Sequence, residues 1–187
     1  MDRLEIKASY LQAAQLFAAK NDPRYYLKGI LLTPENGGQI VATCGHKIIA
    51  IQDDELQALA DPIIIELGGP ITGYADIARI DGLDDGRGIV TMYRGGNIVK
   101  TAAWSKVDAK YPDYERVMPQ PHRESAGLVG VGFNAEYMAI CQKAARLITG
   151  KKDTFVKLSF GAVDTDIITV SFGAENVRMG VMPCRIK

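Results

Sequence analysis

Short apolar runs alternate with polar turns along the chain. Leu4 to Ala8 alternates as a strand, and Tyr10 to Lys20 carries apolar residues at helical spacing, with Ser9 as the expected N-cap. The helix is expected to end before Pro23. Turn residues then separate three segments with strand composition: Tyr25 to Thr33, Gln39 to Cys44 and His46 to Gln52. The first unit is therefore predicted as βαβββ.

The same order recurs in the middle of the chain. Pro62 to Leu67 is the next lead strand, and Gly68-Gly69-Pro70 is predicted to open a short helix that runs to Ile80. A polar, glycine-rich turn through Gly88 follows. The remaining strands of this unit are predicted over Ile89 to Tyr93, Asn97 to Ala103 and Trp104 to Val107.

A third unit completes the chain. A lead strand near Leu128 to Phe133 is followed by a helix that Asn134 caps and that ends at Thr149, before Gly150. Its strands are predicted over Thr154 to Phe160, Asp166 to Phe172 and Val177 to Met182. The proline-containing segment Tyr111 to Glu124 connects the second and third units.

Lead strands therefore recur with a period of roughly 60 residues, which indicates an architecture assembled from supersecondary units. The predicted fold class is α+β, with three βαβββ units whose helices lie on one face of antiparallel sheets. A chain of 187 residues with 47% hydrophobic and 24% charged residues is long and apolar enough to form its own core.

The charge and the cysteine content exclude several classes of function. The 22 basic and 22 acidic side chains cancel, whereas tight, open-faced binding to nucleic acid needs a basic excess. Cys44, Cys141 and Cys184 have no CxxC spacing, which argues against a disulfide framework and a zinc site. With a charged N-terminus and no apolar run long enough to span a bilayer, the expected location is the cytoplasm.

The sequence offers little catalytic chemistry. Cys44 and His46 could face the same side of a strand, so a small cysteine hydrolase stays open as an alternative, but no third residue is placed to orient the imidazole. Asp84-Asp85-Gly86 lacks the spacing of a calcium loop. We therefore expect no enzymatic activity, no metal and no cofactor.

The third helix carries a polar stripe. Ala139, Gln142, Lys143 and Arg146 recur at helical spacing on one face, and Lys151 and Lys152 follow the helix. By itself this pattern is typical of a solvated helix face with cations at its C-terminal end.

Five segments together resemble the bacterial DNA polymerase III sliding clamp family. They occur in the same order as in that family: Arg24 to Leu32 (RYYLKGILL), Val41 to Ala50 (VATCGHKIIA), Tyr111 to Pro119 (YPDYERVMP), Val131 to Tyr137 (VGFNAEY) and Val181 to Ile186 (VMPCRI). The resemblance implies a DNA-clamp fold, a ring of βαβββ half-domains with helices lining the hole.

The resemblance also implies a division of the chain. Residues 1–119 resemble the family's complete middle domain, with half-domains at about 1–55 and 61–119, and 127–187 resembles the last half-domain after a connector at 120–126. Counterparts of the family's first domain and of the first half of its third are missing. Such a shortened clamp suggests a viral or mobile-element origin.

Two sets of functional residues follow from the resemblance. The groups expected to face duplex DNA are Lys20, Asn21, Arg24, Lys143, Arg146, Lys151 and Lys152. The pocket expected to bind short motifs of polymerases and repair proteins is lined by Leu27, Thr43, Gly45, His46, Lys47, Ile48, Pro112, Arg116, Val117, Met182, Pro183 and Cys184. Cys44 stands where the family usually has Asp, and Lys47 where it usually has Arg.

The implied function is a processivity factor that encircles DNA and tethers a polymerase or another DNA enzyme. If a ring needs about twelve half-domains, as the family's does, four chains would close a homo-tetramer. A clamp loader is a further possible partner. The alternative is a clamp mimic that binds clamp-binding motifs as a decoy without encircling DNA.

Overall fold

The computed structural model of the chain describes residues 3–118, 131–152, 154–161, 163 and 165–184. Within them lie the helices α1 (Ala8–Phe17) and α2 (Ala135–Thr149). The strands are β1 (Arg3–Lys7), β2 (Ile30–Thr33), β3 (Gln39–Thr43), β4 (Lys47–Gln52), β5 (Ile63–Leu67), β6 (Ile77–Asp81), β7 (Arg87–Arg94), β8 (Asn97–Lys106), β9 (Lys157–Ser159), β10 (Ile168–Ser171) and β11 (Val177–Val181).

The strands form one 11-stranded antiparallel sheet in the order β1-β6-β7-β8-β5-β2-β3-β4-β11-β10-β9. The first two units exchange their lead strands. Strand β1 of the first unit pairs with β6 of the second, and β5 of the second pairs with β2 of the first. Neither unit could therefore complete its part of the sheet alone.

The two faces of the central sheet are both covered. On one face, α1 and α2 pack over a core that includes Ile30, Leu32, Ile49 and Ile51. On the other, the segment 107–118 covers a second apolar cluster that includes Ile48. All five residues of β3 are buried as a result, and strands that are covered on both sides carry nearly continuous apolar runs.

The third unit joins the first through strand pairing and an ion pair. Strand β11 pairs with β4 from Val177↔Ile51 to Val181↔Lys47. Arg178 of β11 donates two hydrogen bonds to the Glu115 carboxylate, at 2.7 and 3.1 Å. The sheet therefore runs without a break from the first unit into the third.

The α+β class is confirmed, but the second unit lacks its predicted helix. No helix lies between Gly68 and Ile80 in the described chain, because Ile77–Asp81 instead forms β6 between β1 and β7. The preceding loop lies on α1, where Gln12 donates to the Gly73 carbonyl and Gln15 to that of Gly69.

Three further local predictions are wrong. Ser9 is not an N-cap, because α1 begins at Ala8, whose N–H donates to the Asp76 carbonyl across the fold. Tyr25–Lys28 is a 3-10 turn and not the start of a strand. Trp104 belongs to the continuous strand β8, and its indole N–H donates to the Asp81 carbonyl at 2.9 Å.

The predicted third helix is confirmed at both ends. The Asn134 side chain accepts a hydrogen bond from the Glu136 N–H, and Gly150 takes the left-handed conformation after the last turn. The predicted connector at 120–126 and residues 128–130, the first half of the predicted lead strand Leu128 to Phe133, lie outside the described residues. No helix of the described chain is long and apolar enough to cross a bilayer.

The Asn134→Ala substitution should lower the free energy of unfolding by about 1 kcal/mol, because it removes the side-chain acceptor at the start of α2. Urea unfolding followed by circular dichroism measures the change. Asn134→Asp is the control and should restore stability, because a carboxylate caps equally well and favours the positive end of the helix. An alanine variant as stable as the original would refute this role.

Candidate functional site

The turn between β3 and β4 forms the centre of the candidate pocket. Gly45 has a φ of +86°, a backbone conformation that residues with a side chain rarely adopt. The Thr43 hydroxyl donates to the Lys47 carbonyl at 2.9 Å and accepts the Gly45 N–H at 3.0 Å. These bonds hold the turn in one shape.

Three strands bring distant residues into one row beside this turn. Thr43 lies opposite Ile48, and Ile48 lies opposite Gly180. Directly opposed residues of antiparallel strands share a face, and Ile48 belongs to the cluster under segment 107–118. The Met182 N–H continues the ladder by donating to the His46 carbonyl at 2.9 Å. The chain's C-terminal part is thus fixed next to residues of the first unit.

Segment 107–118 covers this row. Tyr111, Tyr114 and Met118 are buried against the cluster that contains Ile48. The Tyr111 hydroxyl is buried without a hydrogen bond among the described residues, and burial raises its pKa, so it stays neutral. The predicted pocket residues on this segment are exposed to solvent: Pro112, Arg116 and Val117.

The residues before β2 reach the same turn. The Arg24 guanidinium binds both oxygens of Asp22, at 2.9 and 2.7 Å, and lies 3.5 Å from the Cys44 carbonyl oxygen. Arg24 was predicted to face DNA, but the structure places it at the rim of the candidate pocket. Leu27 follows in the 3-10 turn and is only 2% exposed.

Lys47 points to the opposite face of the sheet from Ile48. Its ammonium nitrogen donates to the Phe17 carbonyl at the end of α1, at 3.2 Å. It also lies 5.6 and 5.7 Å from the centres of the Phe17 and Tyr137 rings. Lys47 therefore ties β4 to both helices and does not line the outer pocket surface.

His46 and Cys44 have separate partners. The His46 ring stacks on Tyr137 with the ring centres 6.0 Å apart. The Cys44 sulfur accepts a hydrogen bond from the Lys47 ammonium group at 3.3 Å. Among the hydrogen bonds of the described residues none joins the thiol to the imidazole, so the geometry does not favour the cysteine hydrolase.

Most of the predicted pocket residues lie on or directly beside the segments that meet at the β3–β4 turn, and together they define one candidate surface. We call it the strand-end surface; its apolar and turn members are Leu27, Thr43, Gly45, Ile48, Val117, Met182 and Pro183. Cys184 adjoins it and donates its N–H to the Gly132 carbonyl at 2.8 Å. A cleft of ≈ 450 Å³ lies mainly between residues 31–36 and 106–115; it includes Pro112 but none of the members of the strand-end surface.

Sequence reasoning missed several residues that shape this surface. Tyr137 contacts His46 and Lys47 from α2. Gly180 faces Ile48, and Glu115 binds Arg178. The alternation of apolar residues in β11 is the signal that could have indicated the faces of Arg178 and Gly180, but only the β4–β11 register shows what lies opposite them.

The predicted DNA-facing cations of the third unit share an exposed side of α2. Lys143 and Arg146 lie on this helix, and Lys151 and Lys152 follow it. Among the described residues none of the four forms an ion pair. The helix also exposes Glu136. Helix α1 carries no charged residue, and the predicted DNA-facing residues Lys20, Asn21 and Arg24 lie exposed after it.

Comparison with known proteins identifies relatives of one kind. The chain is 32% identical over 116 residues to a beta sliding clamp of Pseudomonas putida, covering 54% of this chain and 29% of the relative. It is 32% identical over 117 residues to that of Escherichia coli, covering 59% and 31%. The chain thus spans less than a third of the length of these curated relatives. No family model matches.

Solved structures of sliding clamps have the same fold as this chain, which confirms the predicted clamp fold. The sliding clamp of Pseudomonas aeruginosa superposes with a TM-score of 0.67 at 19% identity, covering 99% of this chain and 66% of the other. That of Bacillus subtilis gives 0.64 at 12% identity, covering 99% and 64%. At these identities the likeness concerns the fold alone.

The pKa of Asp22 should be measured at about 2, below the ordinary value of 3.8, because the Arg24 side chain and backbone donate hydrogen bonds to the carboxylate. Any stability from this pair is present above pH 3.8 and lost as the pH falls through about 2. Carboxyl NMR titration checks the value.

Arg24→Gln should return the pKa of Asp22 towards 3.8. Lys20→Gln is the control, since it removes a neighbouring positive charge and leaves the pair intact. An Asp22 pKa that stays low in Arg24→Gln would contradict the assignment.

Proposed function

Because the chain is a clamp-family protein that is shorter than full-length clamps, we propose that it is a sliding-clamp-like processivity factor. It forms an oligomeric ring around duplex DNA and holds a DNA polymerase or another DNA enzyme on the strand-end surface. The observation that carries this proposal is the meeting of three distant segments: Ile48 of the β3–β4 hairpin lies opposite Gly180 of β11 and packs under segment 107–118.

The strand-end surface suits an apolar peptide. Val117 is 50% exposed and Met182 and Pro183 are partly exposed, while Ile48 and Leu27 are buried. A methionine side chain adapts to different apolar partners. A short peptide could thus bury apolar side chains against Val117 and Met182 without opening the core.

The exposed cations of the third unit suit weak binding to DNA. Lys143, Arg146, Lys151 and Lys152 are exposed and free of ion pairs within the described chain. Two cations on α2 and two directly after it attract phosphates, and each phosphate contact makes the affinity for DNA fall with salt. A ring that is retained by its topology needs no tighter grip.

Assembly follows from the half-domains. Residues 1–119 are proposed as a complete clamp domain and 127–187 as a half-domain. Four chains would then supply about twelve half-domains and close a homo-tetrameric ring. The same proposal includes a clamp loader that opens the ring. Loading of the chain on closed circular DNA with and without a clamp loader tests this partner.

One observation favours the alternative of a motif-binding decoy. In a ring, helices face the DNA, but α1 carries no charge and the loop between Gly68 and Asp76 lies on it through Gln12 and Gln15. The second unit has no helix in that loop. A decoy would keep the strand-end surface and would not encircle DNA.

Val117→Asp should weaken binding of a fluorescent synthetic peptide that carries a polymerase's clamp-binding motif by at least about tenfold, because it places a charge in an apolar contact. Fluorescence anisotropy measures the affinity. Val99→Asp is the matched control, since Val99 is 49% exposed on β8 and far from the strand-end surface in the sheet order. Equal loss in both variants would refute the pocket assignment.

The original chain should be retained on closed circular DNA and lost from the same DNA after linearisation, because a ring slides off free ends. Gel filtration of the complexes measures retention. Lys143→Glu with Arg146→Glu should reduce it, whereas Lys106→Glu with Lys110→Glu, an equal charge change elsewhere, should not. Peptide binding without any dependence on DNA topology would favour the decoy and overturn the ring.

A further inference from the structure

Each triplet of strands in the first two units is bordered by a strand from outside its own unit. The first strand of one triplet, β2, pairs with the lead strand β5 of the second unit. The first strand of the other, β6, pairs with the lead strand β1 of the first unit. In both cases the foreign strand completes the hydrogen bonds at that edge.

Among the described residues, no strand borders the third triplet in this way. Strand β9 pairs with β10 on one side, from Lys157↔Ser171 to Ser159↔Thr169. It is the last strand of the sheet, and no strand of the described chain lies on its other side. An open edge presents unpaired N–H and C=O groups, which favour pairing with another chain.

The core is also incomplete at this end. The core-facing residues of the corresponding strands are fully buried, with Ile30 and Leu32 of β2 and Ile80 of β6 at most 1% exposed. Leu158 of β9 is only partly buried, as is the neighbouring Val156. The edge beyond β9 therefore lacks the apolar cover that a bordering strand supplies elsewhere in the sheet.

Exposed apolar side chains flank the open edge. Phe155 is 89% exposed just before β9, and Val163 is 56% exposed just after it. β9 itself exposes one charged side chain, Lys157, whereas the opposite edge strand of the sheet, β1, exposes three: Arg3, Glu5 and Lys7. Charged side chains protect an edge strand against pairing, whereas apolar ones favour it.

We infer that the open edge of β9 binds a second copy of this chain through the third unit of that copy. A twofold contact suits the charges, since antiparallel pairing of two β9 strands about Leu158 would place each Lys157 opposite a Ser159 and not opposite another lysine. Pairing would complete the sheet and cover Phe155 and Val163. The inference rests on the proposed ring only in that this contact would be one of its joints.

Light scattering without DNA tests the contact. The original chain should have a mass of at least about 41 kDa, twice the 20.3 kDa of one chain, at high micromolar concentration. Phe155→Glu with Val163→Glu should halve the mass, and because both side chains are exposed the fold should be unchanged by circular dichroism. Ile98→Glu with Val99→Glu is the matched control on another exposed apolar pair and should keep the original mass.

Amide hydrogen exchange adds a backbone measurement. Those β9 amides that point away from β10 should exchange more slowly in the original chain than in the Phe155→Glu and Val163→Glu variant. A monomeric original chain, or a variant of unchanged mass and unchanged exchange, would overturn the inference. Loss of retention on circular DNA with an intact dimer would instead refute only the proposed function.

Discussion

The structure depends on the exchange of lead strands between units. A βαβββ unit leaves its first triplet strand with an unpaired edge, and that edge is satisfied only by a strand from elsewhere. This constraint makes the first two units inseparable and fuses them into one sheet. The strand-end surface depends on a second pairing, because β11 lies beside β4 and this places the Met182 N–H at the His46 carbonyl.

Features with local causes could be predicted from the sequence. Asn134 and Gly150 bound α2 because a side-chain acceptor and a left-handed glycine act within a few residues. Apolar runs mark β3 (Ile40 to Ala42) and β4 (Ile48 to Ile51), and apolar residues at alternate positions, Val177, Met179 and Val181, mark β11. The residues of the candidate pocket were predicted from the resemblance of sequence motifs. Their arrangement in space could not be predicted, because it depends on the register between β3, β4 and β11.

Features with distant causes could not be predicted. Ile77–Asp81 is a strand because β1 and β7 lie on either side of it. Helix α1 begins one residue before Ser9 because the Asp76 carbonyl accepts the Ala8 N–H, which replaces a side-chain cap. The face of the sheet on which the Lys47 side chain lies could not be predicted either. Its ammonium group contacts the Phe17 carbonyl and the rings of Phe17 and Tyr137, and these contacts exist only once both helices are packed on the sheet.

Lys47 links the helix layer to the strand-end surface. Its backbone carbonyl accepts the Thr43 hydroxyl in the β3–β4 turn, while its ammonium group binds the end of α1 and lies against Tyr137 of α2. A buried ammonium group is costly to leave unpaired, so its contacts constrain the turn and both helices together. Tyr137 in turn stacks on His46. Lys47 therefore fixes the position of the helices, which are expected to face DNA, relative to the surface that is expected to bind partners.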